Sequence, residues 1–150
     1  MITFATKRLC YLFVILACLT CFCITSSNSE KCDRGITWSF FIYNGIPNST
    51  INLHLTSNHV DMGYHTITEQ YEYRFVYCQL WSPDVVYIGY FSYDQRFAIF
   101  DLFNKEIVDI IGGSGREDKY VFWLLKEDGY YLSKDEKRDE STWMFRGRWL

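Results

Sequence analysis

The sequence predicts an all-β protein, an antiparallel β-sandwich of about seven to eight short strands, and three observations carry that prediction. Short runs in which apolar or aromatic residues alternate with polar ones recur from Gly35 almost to the C-terminus, the pattern of half-buried strands. Turn-forming residues interrupt these runs at regular intervals, and no long helical period competes with them. Aromatic residues make up 19% of the chain, so a few large side chains can fill a core.

The first segment reads as a targeting signal. Lys7 and Arg8 precede an almost unbroken apolar run from Leu9 to Ile24, and small polar residues Thr25, Ser26, Ser27 and Ser29 follow. This is the order of a secretory signal peptide, residues 1–27, with cleavage expected between 25 and 30. The competing reading, an uncleaved anchor, needs about 20 apolar residues, and this run is shorter. With a start at Asn28, 150 less 27 leaves 123 residues, the size of one domain with one core. Lys7 and Arg8 leave with the signal, so 13 of the 15 basic residues remain against 18 acidic ones, a net charge of −5. A mildly acidic domain of mixed sign is not a nucleic-acid binder by charge, and no stable membrane insertion is expected once the signal is cut.

Four of the six cysteines, Cys10, Cys18, Cys21 and Cys23, belong to the signal, which leaves Cys32 and Cys78. In an oxidising compartment these two form a candidate disulfide. Two free or intermolecularly paired thiols are the alternative, because a lone pair has no framework to corroborate it.

Thr37 to Asn44 is rich in strand formers and is stopped by Gly45 and Pro47. The linker that follows holds the sequon Asn48-Ser49-Thr50, so Asn48 is the candidate glycosylation site, placed in a turn. Ile51 to Ile67 opens with Ile51, Leu53 and Leu55 on one face against Asn52, His54 and Thr56 on the other. Ser57, Asn58, Asp61 and Gly63 then supply turn chemistry, and the chain doubles back from Gly63 to Thr68. Tyr71, Tyr73, Phe75 and Tyr77 alternate with Glu72, Arg74 and Val76, and Ser82-Pro83-Asp84 ends that strand. Val85 to Tyr93 is apolar on both faces, which suggests a central strand covered on each side or shielded by a long loop. Asp94-Gln95 is a hairpin turn into Arg96 to Leu102.

Asn104 to Lys119 is the least structured interior stretch. Glu106 to Ile111 is short for a helix, and Gly112 to Arg116 is a flexible loop by composition. It lacks the Lys-Ser or Lys-Thr and the following helix of a phosphate cradle. Tyr120 to Leu125 and Tyr130 to Ser133 flank Lys126-Glu127-Asp128-Gly129, where Asp-Gly is a strong hairpin signal. Residues 134–150 form a charged, aromatic tail in which Trp143, Phe145 and Trp149 make either a last strand over the core or an aromatic partner-binding segment.

Histidines 54, 59 and 65, with Asp61 among them, are the one cluster that could carry chemistry. A zinc site can be drawn from them, yet the spacing matches no metal motif. Glu127 and Asp128 serve a turn rather than a cleft, no G-x-S-x-G elbow occurs, and Cys78 has no activating context. The sequence therefore predicts no catalytic residue, no metal and no cofactor. Trp81, Tyr87 and Trp143 could stack on sugars, so a glycan-binding sandwich is the main alternative to a protein ligand. Loops on a rigid sandwich usually carry recognition, which makes Asn58, His59, Asp61, Arg116 and Lys119 the candidate partner contacts.

The ordered blocks resemble a known family. Leu53-His54-Leu55-Thr56-Ser57 followed by Asp61-Met62-Gly63-Tyr64-His65 is similar to a characteristic block of the plant self-incompatibility S-protein homologues, small secreted pistil-type proteins. Tyr73-x-Phe75-x-Tyr77, the strand from Val86 to Tyr93, Phe97-Ala98-Ile99-Phe100-Asp101, and Trp123 followed by Glu127-Asp128-Gly129-Tyr130-Tyr131 come in the family's order, over about Trp38 to Ser133. Where the family has cysteines this chain has Leu55, Gly89 and Val121, and no cysteine lies between Asp109 and Lys119. The resemblance implies an all-β sandwich, secretion, glycosylation in some members, and action as a ligand for a cell-surface receptor in cell-to-cell recognition.

Overall fold

In the computed structural model, which describes residues 32, 35–80, 85–112, 115, 117–136 and 140–150, two sheets face one another. The strands are β1 (Ile36–Asn44), β2 (Thr50–Ser57), β3 (Asp61–Thr68), β4 (Tyr73–Gln79), β5 (Tyr87–Tyr93), β6 (Arg96–Phe103), β7 (Lys119–Lys126), β8 (Gly129–Ser133) and β9 (Met144–Gly147), with one helix, α1 (Lys105–Ile111), after β6. One sheet runs β4-β1-β7-β8-β9 and the other β3-β2-β5-β6. The expected all-β sandwich is present, with nine strands. Its pairs are antiparallel except β1 with β7. The segment for the signal peptide and its cleavage site, the Ser82-Pro83-Asp84 break, Trp81 and Arg116 lie outside the described residues.

The alternation that predicted the strands also fixes their faces. On β2, Ile51, Leu53 and Leu55 are fully buried; on β1, Trp38, Phe40 and Ile42; on β7, Val121, Trp123 and Leu125. Between the sheets, rings interlock: Trp38 lies 4.9 Å from Phe103, and Phe100 lies 3.9 Å from Tyr130 and 4.9 Å from Trp123, centroid to centroid. A buried indole N–H needs an acceptor, and both find one: Trp38 Nε1 donates to Gln79 Oε1 at 2.7 Å, Trp123 Nε1 to the Leu102 carbonyl at 3.2 Å. Cys32 and Cys78 are joined beside the β1–β4 pair, Sγ to Sγ 2.03 Å and Cα to Cα 5.7 Å.

Leu55 and Gly89, two of the positions at which the resembling family carries cysteines, stand directly opposite each other across β2 and β5. Phe91, two residues along the same face, folds its ring over Gly89 and stacks on Phe100 at 4.8 Å. A Cβ built at position 89 would meet Phe91 Cε2 at 2.3 Å. Packing of an aromatic ring has taken the volume of a side chain at this position.

Four sequence expectations need correction. First, Lys105–Ile111 is a helix: Asn104 caps it, its Oδ1 accepting from Ile107 N at 3.0 Å, Ile107 is buried, and Gly112 closes it at φ 86° with its N–H on the Val108 carbonyl at 3.1 Å. Caps and one buried anchor compensate for its short length. Second, the strand beginning near Val85 is central but covered on one face only. Gly89, Phe91 and Tyr93 point inward, while Tyr90 and Ser92 are exposed because, among the described residues, no third layer lies over them.

Third, the β7–β8 turn is Glu127-Asp128, with Gly129 already paired to Lys126. Gly129, at φ 152°, is required by the approach of β9, since a Cβ there would lie 2.1 Å from the Gly147 carbonyl oxygen. Fourth, Tyr71 stands outside β4 and is exposed, because the chain turns from Glu69 and enters the sheet only at Tyr73. The end of the chain forms both a last strand, β9, and a cover. Leu150 exchanges backbone hydrogen bonds with Phe97 at 2.8 and 3.3 Å, so it pairs with the edge of β6, and Trp149 packs on Tyr93 at 5.1 Å. Covering an edge in this way removes a template for unwanted strand addition.

Replacing Gly89 by alanine forces Phe91 out of its position between the sheets. Overpacking of this kind costs about 1–3 kcal/mol. Urea denaturation of Gly89→Ala is expected to show that loss with an unchanged slope, whereas unaltered stability would show that Phe91 yields freely.

Candidate recognition surface

The outer face of the β3-β2-β5-β6 sheet carries a row of side chains set by strand register. His54 on β2 is opposite Tyr64 on β3 and Tyr90 on β5, and Tyr90 is in turn opposite Ile99 on β6. The His54 ring stacks on Tyr64 at 4.2 Å and tilts against Tyr90 at 5.7 Å. In the adjoining row Asn52 faces Thr66 and Ser92, and Ser92 faces Phe97. Tyr64 is 82% exposed, Phe97 49% and Ile99 53%. Together they line a shallow groove of about 330 Å³. Singly exposed apolar residues are ordinary; several on one sheet face form a patch of the kind that marks interaction sites.

The polar corner of the sequence closes one end of this face. Asp61 Oδ1 lies 2.9 Å from His54 Nε2 and accepts the Gly63 N–H at 2.8 Å. Gly63 takes φ 85°, where the β2–β3 register shifts near Leu55 and Thr56. The Gly63 amide, then the His54 ring, hold the Asp61 carboxyl below its ordinary value of 3.8. Because the folded value is the lower one, this contribution to stability is complete above the unfolded value and is lost as pH falls through the folded one. The partner of Asp61 is thus His54 rather than His59, whose backbone N–H is held by Ser57 Oγ at 3.2 Å. His65 turns away, its Nε2 3.0 Å from the Tyr73 hydroxyl and 3.0 Å from the Met62 carbonyl. Burial raises the Tyr73 phenol, which keeps it a neutral hydrogen-bonding group. The three histidines do not converge, and among the described residues no cluster could hold a metal ion.

Of the residues singled out for partner contact, Asn58, His59, Asp61 and Lys119 lie at one end of the sandwich. Asn58 fastens the β2–β3 turn to the chain entering β5: its N–H donates to the Val86 carbonyl and its Oδ1 accepts from Val86 N, both at 3.3 Å. Lys119 starts β7 in register with Trp38, whose ring meets Phe103 at the close of β6. Asn48 sits at the other end, exposed, at φ 53° in the turn between β1 and β2. Tyr87, offered as a sugar-stacking ring, points inward against Phe40, Phe75, Tyr77 and Phe103. Sequence reasoning missed Tyr64, Tyr90, Phe97 and Ile99 as a set, since only the pairing of four strands puts them side by side. The polar alternation on β2 was a partial signal.

A family model described as plant self-incompatibility protein S1 matches residues 39–149, and the chain belongs to that family. Comparison with curated proteins and with solved structures returned no match. The family is one of secreted, non-enzymatic recognition proteins, which points to a role in plant recognition or signalling. No helix among the described residues is long and apolar enough to cross a membrane.

Followed through the Asp61 carboxyl and Gly63 amide resonances, Asp61 is expected to titrate with a midpoint below 3.8, and His54→Ala is expected to move it back toward that value. A midpoint at or above 3.8 in the parent protein would contradict the two contacts described here.

Proposed function

We propose that the protein is a secreted ligand for a cell-surface receptor in plant cell-to-cell recognition, and that it meets its partner through the outer face of the β3-β2-β5-β6 sheet and the adjoining Asn58 to Asp61 turn. The observation that carries this reading is the row Tyr64, His54, Tyr90 and Ile99 on a rigid sheet, in a chain of the self-incompatibility S1 family. Large aromatic side chains lose little conformational freedom on binding and are enriched at binding hot spots. Exposed Asp61, paired with half-buried His54, gives the rim a defined polar contact, which serves orientation more than affinity.

Three further parts of the reading follow from a secretory route. The N-terminal segment is cut between 25 and 30, Asn48 carries an N-linked glycan, and Cys32 and Cys78 stay bridged in the mature protein. A bridge between two residues separated by 46 in sequence restricts the unfolded chain by about 4 kcal/mol in the loop-entropy account. Recognition in this scheme needs neither catalysis nor a cofactor, and no nucleic acid takes part.

Cross-linking of secreted protein to the surface of the presenting plant tissue tests the central proposal. A saturable protein partner is expected, with affinity reduced at least tenfold by the pair Tyr90→Ala and Phe97→Ala. Retention on a glycan array with no cross-linked protein would replace the reading with a lectin-like one. Thiol counting on denatured, unreduced mature protein is expected to find none free, and two free thiols would remove the bridge.

A further inference from the structure

A groove of about 730 Å³ lies on the other sheet and is unused by the recognition surface. Its walls include Tyr43, Asn44, Glu69, Tyr71, Glu72 and Trp143. Three aromatic rings beside carboxylates form an apolar surface with convergent polar groups, the general character of a small-ligand site. Tyr71, at 73% exposed, lacks an evident structural use, and Trp143 stands half-buried in the same wall.

The turn that bears Asn48 forms one side of this groove. Asn44, a wall residue, ties the turn down: its Nδ2 donates to the Ser49 and Ile67 carbonyls, both at 3.1 Å, and its Oδ1 accepts from Ile46 N at 2.9 Å. Asn48 itself is held to another wall residue, its N–H donating to Glu69 Oε2 at 2.9 Å. The attachment point is therefore both exposed and rigidly set at the rim.

We infer that the groove seats the glycan carried by Asn48: the first sugars fold back over the turn, lay their apolar faces on Tyr71 and Trp143, and donate hydrogen bonds to Glu69 and Glu72. The inference rests on the reading of Asn48 as a glycosylated residue. Sugar hydroxyls donate to the carboxylates while the C–H face of the sugar ring lies on the aromatic side chains. A glycan held this way covers the exposed rings and leaves the opposite sheet free for its partner.

The full chain, secreted from a glycosylating eukaryotic host, provides the test. Peptide mass mapping first reads occupancy of Asn48; an unmodified Asn48 overturns both the glycosylation reading and this inference. On occupied protein, accessibility of the Tyr71 ring to a photoexcited dye, read residue by residue by NMR, is compared before and after an endoglycosidase trims the glycan to a single sugar. Accessibility is expected to rise about threefold on trimming, and the thermal midpoint to fall by about 3 °C. Tyr71→Ala, at an exposed position, is expected to remove most of that fall. Thr50→Ala, which abolishes the sequon and leaves Asn48 in place, should reproduce the trimmed state, and Thr50→Ser, which keeps the sequon, should match the parent. Occupied Asn48 with Tyr71 accessibility and midpoint both indifferent to trimming, or a midpoint fall unchanged by Tyr71→Ala, overturns the inference and leaves the glycosylation reading intact.

Discussion

Interlocked aromatic rings between the two sheets are the interaction on which the other features depend. Trp38 against Phe103, Phe75 against Tyr87, and Phe100 against both Trp123 and Tyr130 span the space between layers. Rings of this size bury much apolar area each, but they pack well only where the backbone leaves volume for them. Gly89 leaves that volume for Phe91. Once the rings are seated, the facing of each strand follows, because a slip of one residue would turn every inward ring to solvent.

That constraint explains how the domain manages with the single bridge of Cys32 and Cys78 among its described residues. Leu55 opposite Gly89, and Val121 inside the sheet that faces them, lie at the buried positions where the resemblance to the family would place cysteines. Here they contribute packing instead. A core built from close contacts is rigid, and rigidity on the inner face gives the outer face a fixed geometry. His54, Tyr64 and Tyr90 are held in a row by their backbones, with no need to order flexible loops upon binding.

The two faces of the sandwich consequently differ in character. Outside the β3-β2-β5-β6 sheet, rings and the hydrogen-bonded Asp61 and His54 stand beside a shallow groove. Outside the other sheet, Phe41, Tyr120 and Phe122 cover one another, Arg74 lies over Phe41 at 5.0 Å, and Lys126 over Tyr131 at 5.3 Å. Cation and ring partly shield each other from water there. The deep groove by Tyr71 and Trp143 is the exception on that face.

Much of the fold was legible along the chain. Alternation in Ile51 to Leu55 reports a strand face because successive side chains point to opposite sides, a local property of extended backbone. The turn at Asp94-Gln95, between paired Tyr93 and Arg96, was legible for the same reason: its chemistry is confined to neighbours. Helix α1 was readable in principle from the Asn104 cap and Gly112, yet its stability comes from Ile107 in the core, which is a tertiary fact. The Asp-Gly signal was placed one residue off because Gly129 answers to β9, a strand distant in sequence.

By itself, then, the sequence determined the strands, most of the turns, the burial of one face of each, and the family. Tertiary structure decided which strands became neighbours. Only that pairing brings Tyr64, His54, Tyr90 and Ile99 into one row, sets Asp61 against His54 rather than His59, and stands the Asn48 turn beside Glu69 and Tyr71. Local pattern encodes the direction of a side chain, because that depends on the backbone at one residue. Its companions depend on register between segments far apart in the chain, which the packing of the whole core selects.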